Sequence, residues 1–308
     1  MAMNTFKPMR AAMLEQEHWT KLQFPLFAST KLDGIRACLI RSPRTGNRLL
    51  ASKSLKRIPN LHIRHSIESS QLPDWLDGEL IVGDTFGATT SAVMSINGEP
   101  NFHYWVFDYL PSGPQEFWIN RHDRMQRELA KYEKLYPWFH VMQQTVIEDL
   151  PQLDAFYHNS QVLGHEGVIL KHPRRIYVYG KCTLSGQACL KIKPTLDADA
   201  VVTGFEELMH NDNDDCINAL GYTERSSELS GLSPGGTLGS LVVRPLNNKW
   251  PHFKIGTGFT QEQRTAIWTN KEHYIHKHLT FKYQKHNMKD KPRQPVFLRW
   301  RPDLDEGL

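Results

Sequence analysis

A lysine amine attacks phosphorus only as the free base, and burial or neighbouring cations can lower its pKa enough to supply that form. The segment Thr30-Lys31-Leu32-Asp33-Gly34-Ile35-Arg36 puts one lysine in suitable company, directly after the apolar run Phe24–Ala28. Lys31 is the candidate nucleophile. Asp33 offers a carboxylate for a metal or a hydrogen bond, Arg36 a bidentate clamp for phosphate, and Gly34 a tight backbone turn beside a ligand. Two more carboxylates, Glu79 and Glu166, fall at the ends of apolar runs, where they could hold hydrated Mg²⁺ against a phosphate, with Mn²⁺ able to substitute. Lys191 and Lys193 are two apart in a strand-like run, so both side chains leave the same face. From there they could neutralise charge in a phosphoryl-transfer transition state and depress the pKa of Lys31. Phe107 lies in the run YWVFDYL, where an aromatic is more often core than ligand platform.

These residues need strands to hold them. Apolar and β-branched runs bounded by turn residues predict strands at Leu26–Thr30, Ala37–Ile40, Trp75–Val82, Tyr104–Leu110, Gly167–Lys171 and Ala188–Lys193. Between them Thr89–Met94 and Asn120–Tyr136 read as helices, the second with Asn120 as N-cap and Asp123 in its first turn. After Pro194 the pattern becomes short strands at Ala200–Phe205, Ser240–Pro245, His252–Gly256, Leu279–Tyr283 and Val296–Trp300, with one helix at Thr260–Trp268, which suits a small OB-type barrel. The expected fold is therefore α+β: a mixed α/β domain over 1–194, then an all-β OB-fold domain over 195–308. A polar stretch at about 207–236 is too hydrophilic for core and reads as a hairpin insertion. Asp212–Asp215 lacks the glycine of a calcium loop, since Ile217 stands at the sharp turn.

Composition narrows the partners. The chain has 308 residues and a net charge of +4, which alone says little. The distribution says more: up to Arg64 twelve Lys and Arg face three acids, and Lys271–Arg301 mixes bases with aromatics, as a polyphosphate backbone requires. No apolar run reaches the ~18–20 residues of a membrane span, and the N-terminus lacks a secretory apolar region, so a cytoplasmic protein with no membrane partner is expected. The four cysteines form no Cys-x-x-Cys pair and indicate neither a disulfide framework nor a structural zinc.

The Lys31 segment resembles the adenylation motif of the covalent nucleotidyltransferases, the superfamily of DNA ligases, RNA ligases and capping enzymes. Further strings follow in that family's order: Ser52-Lys53-Ser54, Asp77-Gly78-Glu79-Leu80, Val106-Phe107-Asp108, Glu166 to Lys171, and Leu190-Lys191-Ile192-Lys193. Within the superfamily Ile35-Arg36, Phe253–Phe259 and the ending Pro292–Asp303 resemble DNA ligases, and NALGYTERSS at Asn218–Ser227 resembles the DNA-clasping latch of small viral ligases. The resemblance implies an ATP-dependent, virus-encoded DNA ligase acting on nicked duplex DNA as a monomer, in replication or repair. It implies Lys31, Lys191 and Lys193 as catalytic residues, and Asp33, Glu79 and Glu166 as metal ligands. ATP contacts would come from Lys31, Arg36, Glu79, Phe107 (stacked on adenine), Glu166, Lys191, Lys193 and Arg301, with Arg301 orienting pyrophosphate when the OB domain closes. DNA contacts would come from Arg36, Ser52, Lys53, Tyr222 and Arg225. Leu304 stands where the family's final lysine is usual. A guanylyltransferase or RNA ligase, and a DNA-binding protein that has lost the chemistry, are the alternatives.

Overall fold

The structure, a computed structural model, describes residues 6–42, 45–217, 223–226, 228–284 and 290–305. The chain divides into two compact units, the first reaching Lys193 and the second beginning at Pro194.

Two five-stranded sheets form the first unit. In one sheet, Leu26–Thr30 lies between Thr145–Ile147 and Val168–Lys171, with Leu190–Ile192 and then Ala12–Met13 beyond. Register brings three strand ends together: Thr30 and Ile192 both pair with Val168, so the next residues along, Lys31, Gly167 and Lys193, end side by side at one edge. In the other sheet the order is Arg48–Ser52, Ile35–Arg41, Leu76–Val82, Phe102–Tyr109, Phe139–Val141. Here Arg36 pairs with Glu79 and Glu79 with Trp105, a row across three strands.

The period-2 alternation of Ile35–Arg41 sorts its side chains between two cores. Ile35, Ala37 and Leu39 pack under the helices Leu61–Glu68, Phe86–Met94 and Trp118–Leu135, while Cys38 and Ile40 meet Leu26, Ala28, Leu170 and Leu190 of the facing sheet. Each fully buried Leu or Ile contributes about 1.5–3 kcal/mol. The side chains between the sheets thus fix the spacing of the two edges that carry the candidate chemistry.

The second unit is built on a five-stranded sheet ordered Phe253–Ile255, Leu232–Pro245, Thr195–Asn211, His278–Gln284, Arg293–Trp300. Its outer strands meet at an isolated bridge, Thr257 to Val296, where Phe297 N–H donates to the Thr257 carbonyl at 2.9 Å. The helix Gln261–Thr269 carries a capping box, with Thr260 and Gln263 each accepting from the other's backbone N–H.

Three expectations change. The long helix begins at Trp118, and Asn120 lies inside it. Its first N–H groups are taken by loop carbonyls, Trp118 by Arg175 at 2.8 Å and Ile119 by Pro173 at 3.0 Å, so no side-chain cap is needed. The polar stretch is largely sheet at its base, because pairing continues out to Asn211 and Leu232. Beyond that pair, Asp215–Ile217 and Thr223–Arg225 form a two-stranded sheet of their own. Finally, Leu61–Glu68 and Leu150–Val162 are helices that hydrophobic periodicity missed; their caps, Asn60 on Ile63 N–H and Asp149 on Gln152 N–H (both 2.9 Å), were the available signal.

Candidate active site

A cleft of about 380 Å³ opens in the first unit. Seven cationic side chains and three acidic ones line it. Lys31, Arg36, Lys171 and Lys191 lie among them, together with the exposed Arg10, Lys53 and Lys181. The acids are Asp77, Glu79 and Asp108, and apolar surface comes from Met9, Phe107, Met142 and Ile169. A lining this cationic with an apolar side suits a ligand that joins a flat base to several phosphates.

Lys31 is fixed from both ends. Its backbone N–H donates to the Gly167 carbonyl at 2.8 Å, and its ammonium forms an ion pair with Glu166 and donates to the Leu32 carbonyl at 3.1 Å. Glu166 is 4% exposed and also pairs with Lys193. Burial alone would raise the Glu166 carboxyl, but Lys31 and Lys193 outweigh it and hold it below the ordinary range. Gly167 makes the junction possible: its φ of +154° is open to glycine, and a Cβ there would overlap the Ile192 carbonyl. Lys191 has its ammonium pKa lowered by burial first and then by Lys193 and Lys31.

Across the cleft, burial pushes Glu79 up to about 7, against the pull of Lys31 and Arg36. Arg36 is committed inward, its Nε and Nη2 on Asp77 and its Nη2 also on the Met9 carbonyl at 3.2 Å. Its guanidinium also sits 4.6 Å from the centre of the Phe107 ring. Gly34, expected at a tight turn, has another reason to be glycine: a Cβ would overlap the Leu80 carbonyl and crowd Glu79.

Family models match both units, the ATP-dependent DNA ligase domain over residues 8–193 and the DNA ligase OB-like domain over 234–301. The chain belongs to the ATP-dependent DNA ligase family. It is similar to the Chlorella virus DNA ligase-adenylate, 31% identical with a TM-score of 0.55 over 96% of this chain and 98% of that one. A Lig E DNA ligase structure, 23% identical, shares the fold at a TM-score of 0.70 over 96% of this chain and 99% of that one. The DNA ligase of Methanospirillum hungatei is 41% identical over 130 residues, covering 42% of this chain and 19% of that protein, so the match spans about a fifth of that relative's length.

Within this ligase framework, Lys31, Arg36, Lys53, Glu79, Phe107 and Lys191 line one cleft, and Glu166 and Lys193 stand against Lys31. Other expected residues fall elsewhere. Asp33 does not line the cleft, and among the described residues no three carboxylate, imidazole or thiol groups gather as a metal set, so Asp33, Glu79 and Glu166 do not form a cage. Ser52 is 1% exposed, and its hydroxyl accepts from Ser54 N–H at 3.3 Å, which makes it a turn residue and not a surface contact for DNA. Arg301 sits in the second unit, ion-paired with Asp199 at 3.1 Å. Arg225 is exposed and donates to the Asn211 carbonyl at the base of the hairpin; Tyr222 lies outside the described residues. No helix among the described residues is long and apolar enough to cross a membrane.

Sequence reasoning gave no role to the buried partners. Asp108 accepts from Arg121 at 2.7 Å and from Lys171 at 3.0 Å, and Lys171 also donates to the Phe107 carbonyl at 2.7 Å. Asp77 gathers Arg36, Cys38 and Tyr177. Both acids were visible inside apolar strings, where a carboxylate must find a partner. Which partner it finds was not legible, because Lys171 and Tyr177 come from distant segments.

Proposed function

We propose that the chain seals nicks between a 3′-hydroxyl and a 5′-phosphate in duplex DNA, using ATP and passing through a lysyl-AMP on Lys31 and an adenylated DNA end. The observation that carries this is that strand register brings Lys31 beside Lys193, with Glu166 ion-paired to both, where Lys31 lines a cationic cleft.

In the first step the lone pair on Lys31 Nζ forms a bond to the α-phosphorus of ATP, the bond to the pyrophosphate oxygen breaks, and the amine's proton leaves to water or to Glu166 Oε2. Lys191 in the cleft and Lys193 at its edge supply positive charge where the phosphoryl oxygens gather it. In the second step a 5′-phosphate oxygen bonds to the phosphorus of AMP as the phosphorus–nitrogen bond breaks, and the departing Lys31 nitrogen takes a proton from Glu166 or water. In the third the 3′-hydroxyl oxygen bonds to the 5′-phosphorus, its proton leaves to water, and AMP departs. The cationic lining and the Phe107 and Met142 surface orient phosphates and base through all three.

A hydrated Mg²⁺, or Mn²⁺ in its place, would shield the phosphate charges during these transfers. The donors present fit such an ion, which typically takes one or two carboxylates with water and substrate phosphates. Glu79 is the acid suited to hold it, since a buried carboxyl with a pKa of about 7 gains most from a cation. Use in replication or repair as a monomer belongs to the same reading.

The test is incubation with α-phosphate-labelled ATP, Mg²⁺ and no DNA, followed by a denaturing gel. Acid-labile label on the protein, discharged by nicked DNA and absent from Lys31→Ala, is expected. Label that survives in Lys31→Ala overturns the assignment, and label from GTP in preference to ATP overturns the choice of nucleotide.

A further inference from the structure

We infer that Tyr177 is a positioning residue for Arg36, acting with Asp77 to hold the guanidinium so that Nη1, which bonds to none of the described residues, is presented to the nucleotide. The inference rests on reading the cleft as an ATP site.

Tyr177 is 2% exposed and stands 100 residues from Asp77 in sequence, yet its hydroxyl donates to Asp77 Oδ2. The same oxygen accepts from Arg36 Nη2, while Oδ1 accepts from Arg36 Nε and from Cys38 Sγ at 3.2 Å. The Tyr177 oxygen in turn accepts from Met9 N–H at 2.8 Å, and the Met9 carbonyl accepts from Arg36 Nη2 at 3.2 Å. The four residues close a ring of hydrogen bonds: Tyr177 to Asp77, Arg36 to Asp77, Arg36 to Met9, Met9 to Tyr177. Both carboxylate oxygens are engaged, so the carboxylate plane is fixed, and with it the plane of the guanidinium it grips. Nη1 takes no part in the ring, and Arg36 lines the cleft, as Met9 does. The Phe6 ring, stacked on Tyr177 at 6.2 Å, holds the phenol in place. Burial and Asp77 keep the phenol protonated well past neutrality, so it remains a donor at any working pH.

Tyr177→Phe keeps the ring and its packing but leaves Asp77 Oδ2 with one donor fewer and Met9 N–H without its acceptor. A misplacement of about 1 Å at an orienting group can cost on the order of 100-fold in rate. Tyr177→Phe is therefore expected to lower self-adenylation at saturating ATP by roughly 10- to 100-fold. The deciding readout is non-additivity: in an Arg36→Ala background, Tyr177→Phe should cost nothing further, because the group it positions is gone. A merely structural tyrosine would cost the same in both backgrounds. Wild-type rate in Tyr177→Phe, or losses that multiply, overturns the inference. Should Tyr177→Phe not fold, Arg36→Lys serves: a lysine keeps the charge but cannot occupy the frame, so it should lose as much rate as Arg36→Ala, and recovery to within about threefold of wild type overturns the claim that orientation is what matters. Absence of label on the wild-type protein would instead overturn the ATP reading itself.

Discussion

Two carboxylates in the first unit each hold two cations, and they teach different things. Asp108 is fully buried between Arg121 and Lys171, side chains that are 1% and 4% exposed. Glu166 is as deeply set, but one of its partners, Lys31, keeps 22% of its side chain open. Burial alone would raise both carboxyls, and both are held down by their cations. Composition and charge do not separate the two centres. What separates them is exposure: Arg121 and Lys171 keep almost no open surface, although Lys171 and Asp108 reach the cleft wall, whereas Lys31 presents 22% of its side chain there. The first is expected to carry stability and the second chemistry.

The widest separation should come from Asp108→Ala. It strands two buried cations, and breaking a buried pair costs about 3–5 kcal/mol. In a domain of this size that is a fall in melting temperature of about 6–20 °C, readable by circular dichroism. An unchanged midpoint would break the comparison from one side. Glu166→Gln should do the reverse, changing stability by about 1 kcal/mol or less while lowering self-adenylation by roughly 100-fold, because one end of the pair already meets solvent. Wild-type labelling by that variant would break it from the other side.

Glu79 sharpens the comparison, since it is an acid in the cleft that no single cation holds down. Its folded pKa of about 7 lies above its unfolded value, so the protonated form is favoured by folding. The stability this contributes is present below the unfolded pKa and is lost as pH rises through about 7. Glu79→Gln should therefore match wild type at about pH 4 or below and exceed it at pH 8, on the order of 1–3 kcal/mol, while losing ligation at both. A variant less stable than wild type at pH 8 would contradict the buried-acid description. The smallest effect is expected from Arg225→Ala in the hairpin: intact self-adenylation, a few-fold weaker nick binding, and a salt slope lower by about 0.9 if one phosphate contact is lost. An unchanged slope would remove Arg225 from the DNA interface.

Much of the site was legible in the sequence because strand ends are. Lys31, Gly167 and Lys193 each follow or precede an apolar run, and antiparallel register turns such ends into neighbours. Many of the strands were legible for the same reason, down to Leu26–Thr30, whereas Arg48–Ser52, Phe139–Val141 and Thr145–Ile147 went unread. Tertiary completion was not. Asn120 looked like a cap because nothing in the sequence shows that Pro173 and Arg175 supply the carbonyls instead. Asp33 looked like a metal ligand, yet it does not line the cleft. Ser52 looked like a surface contact, and the turn after it draws its hydroxyl inward.

The central claim is that, of the lysines lining this cleft, only the one paired with Glu166 is the nucleophile. Five are present, Lys31, Lys53, Lys171, Lys181 and Lys191, and any amine there could in principle take AMP. Peptide mapping by mass spectrometry after incubation with ATP and Mg²⁺ decides among them. The account predicts a single AMP adduct, on the peptide containing Lys31, lost when nicked DNA is added. AMP on Lys53, Lys171, Lys181 or Lys191 in the wild-type protein would contradict it.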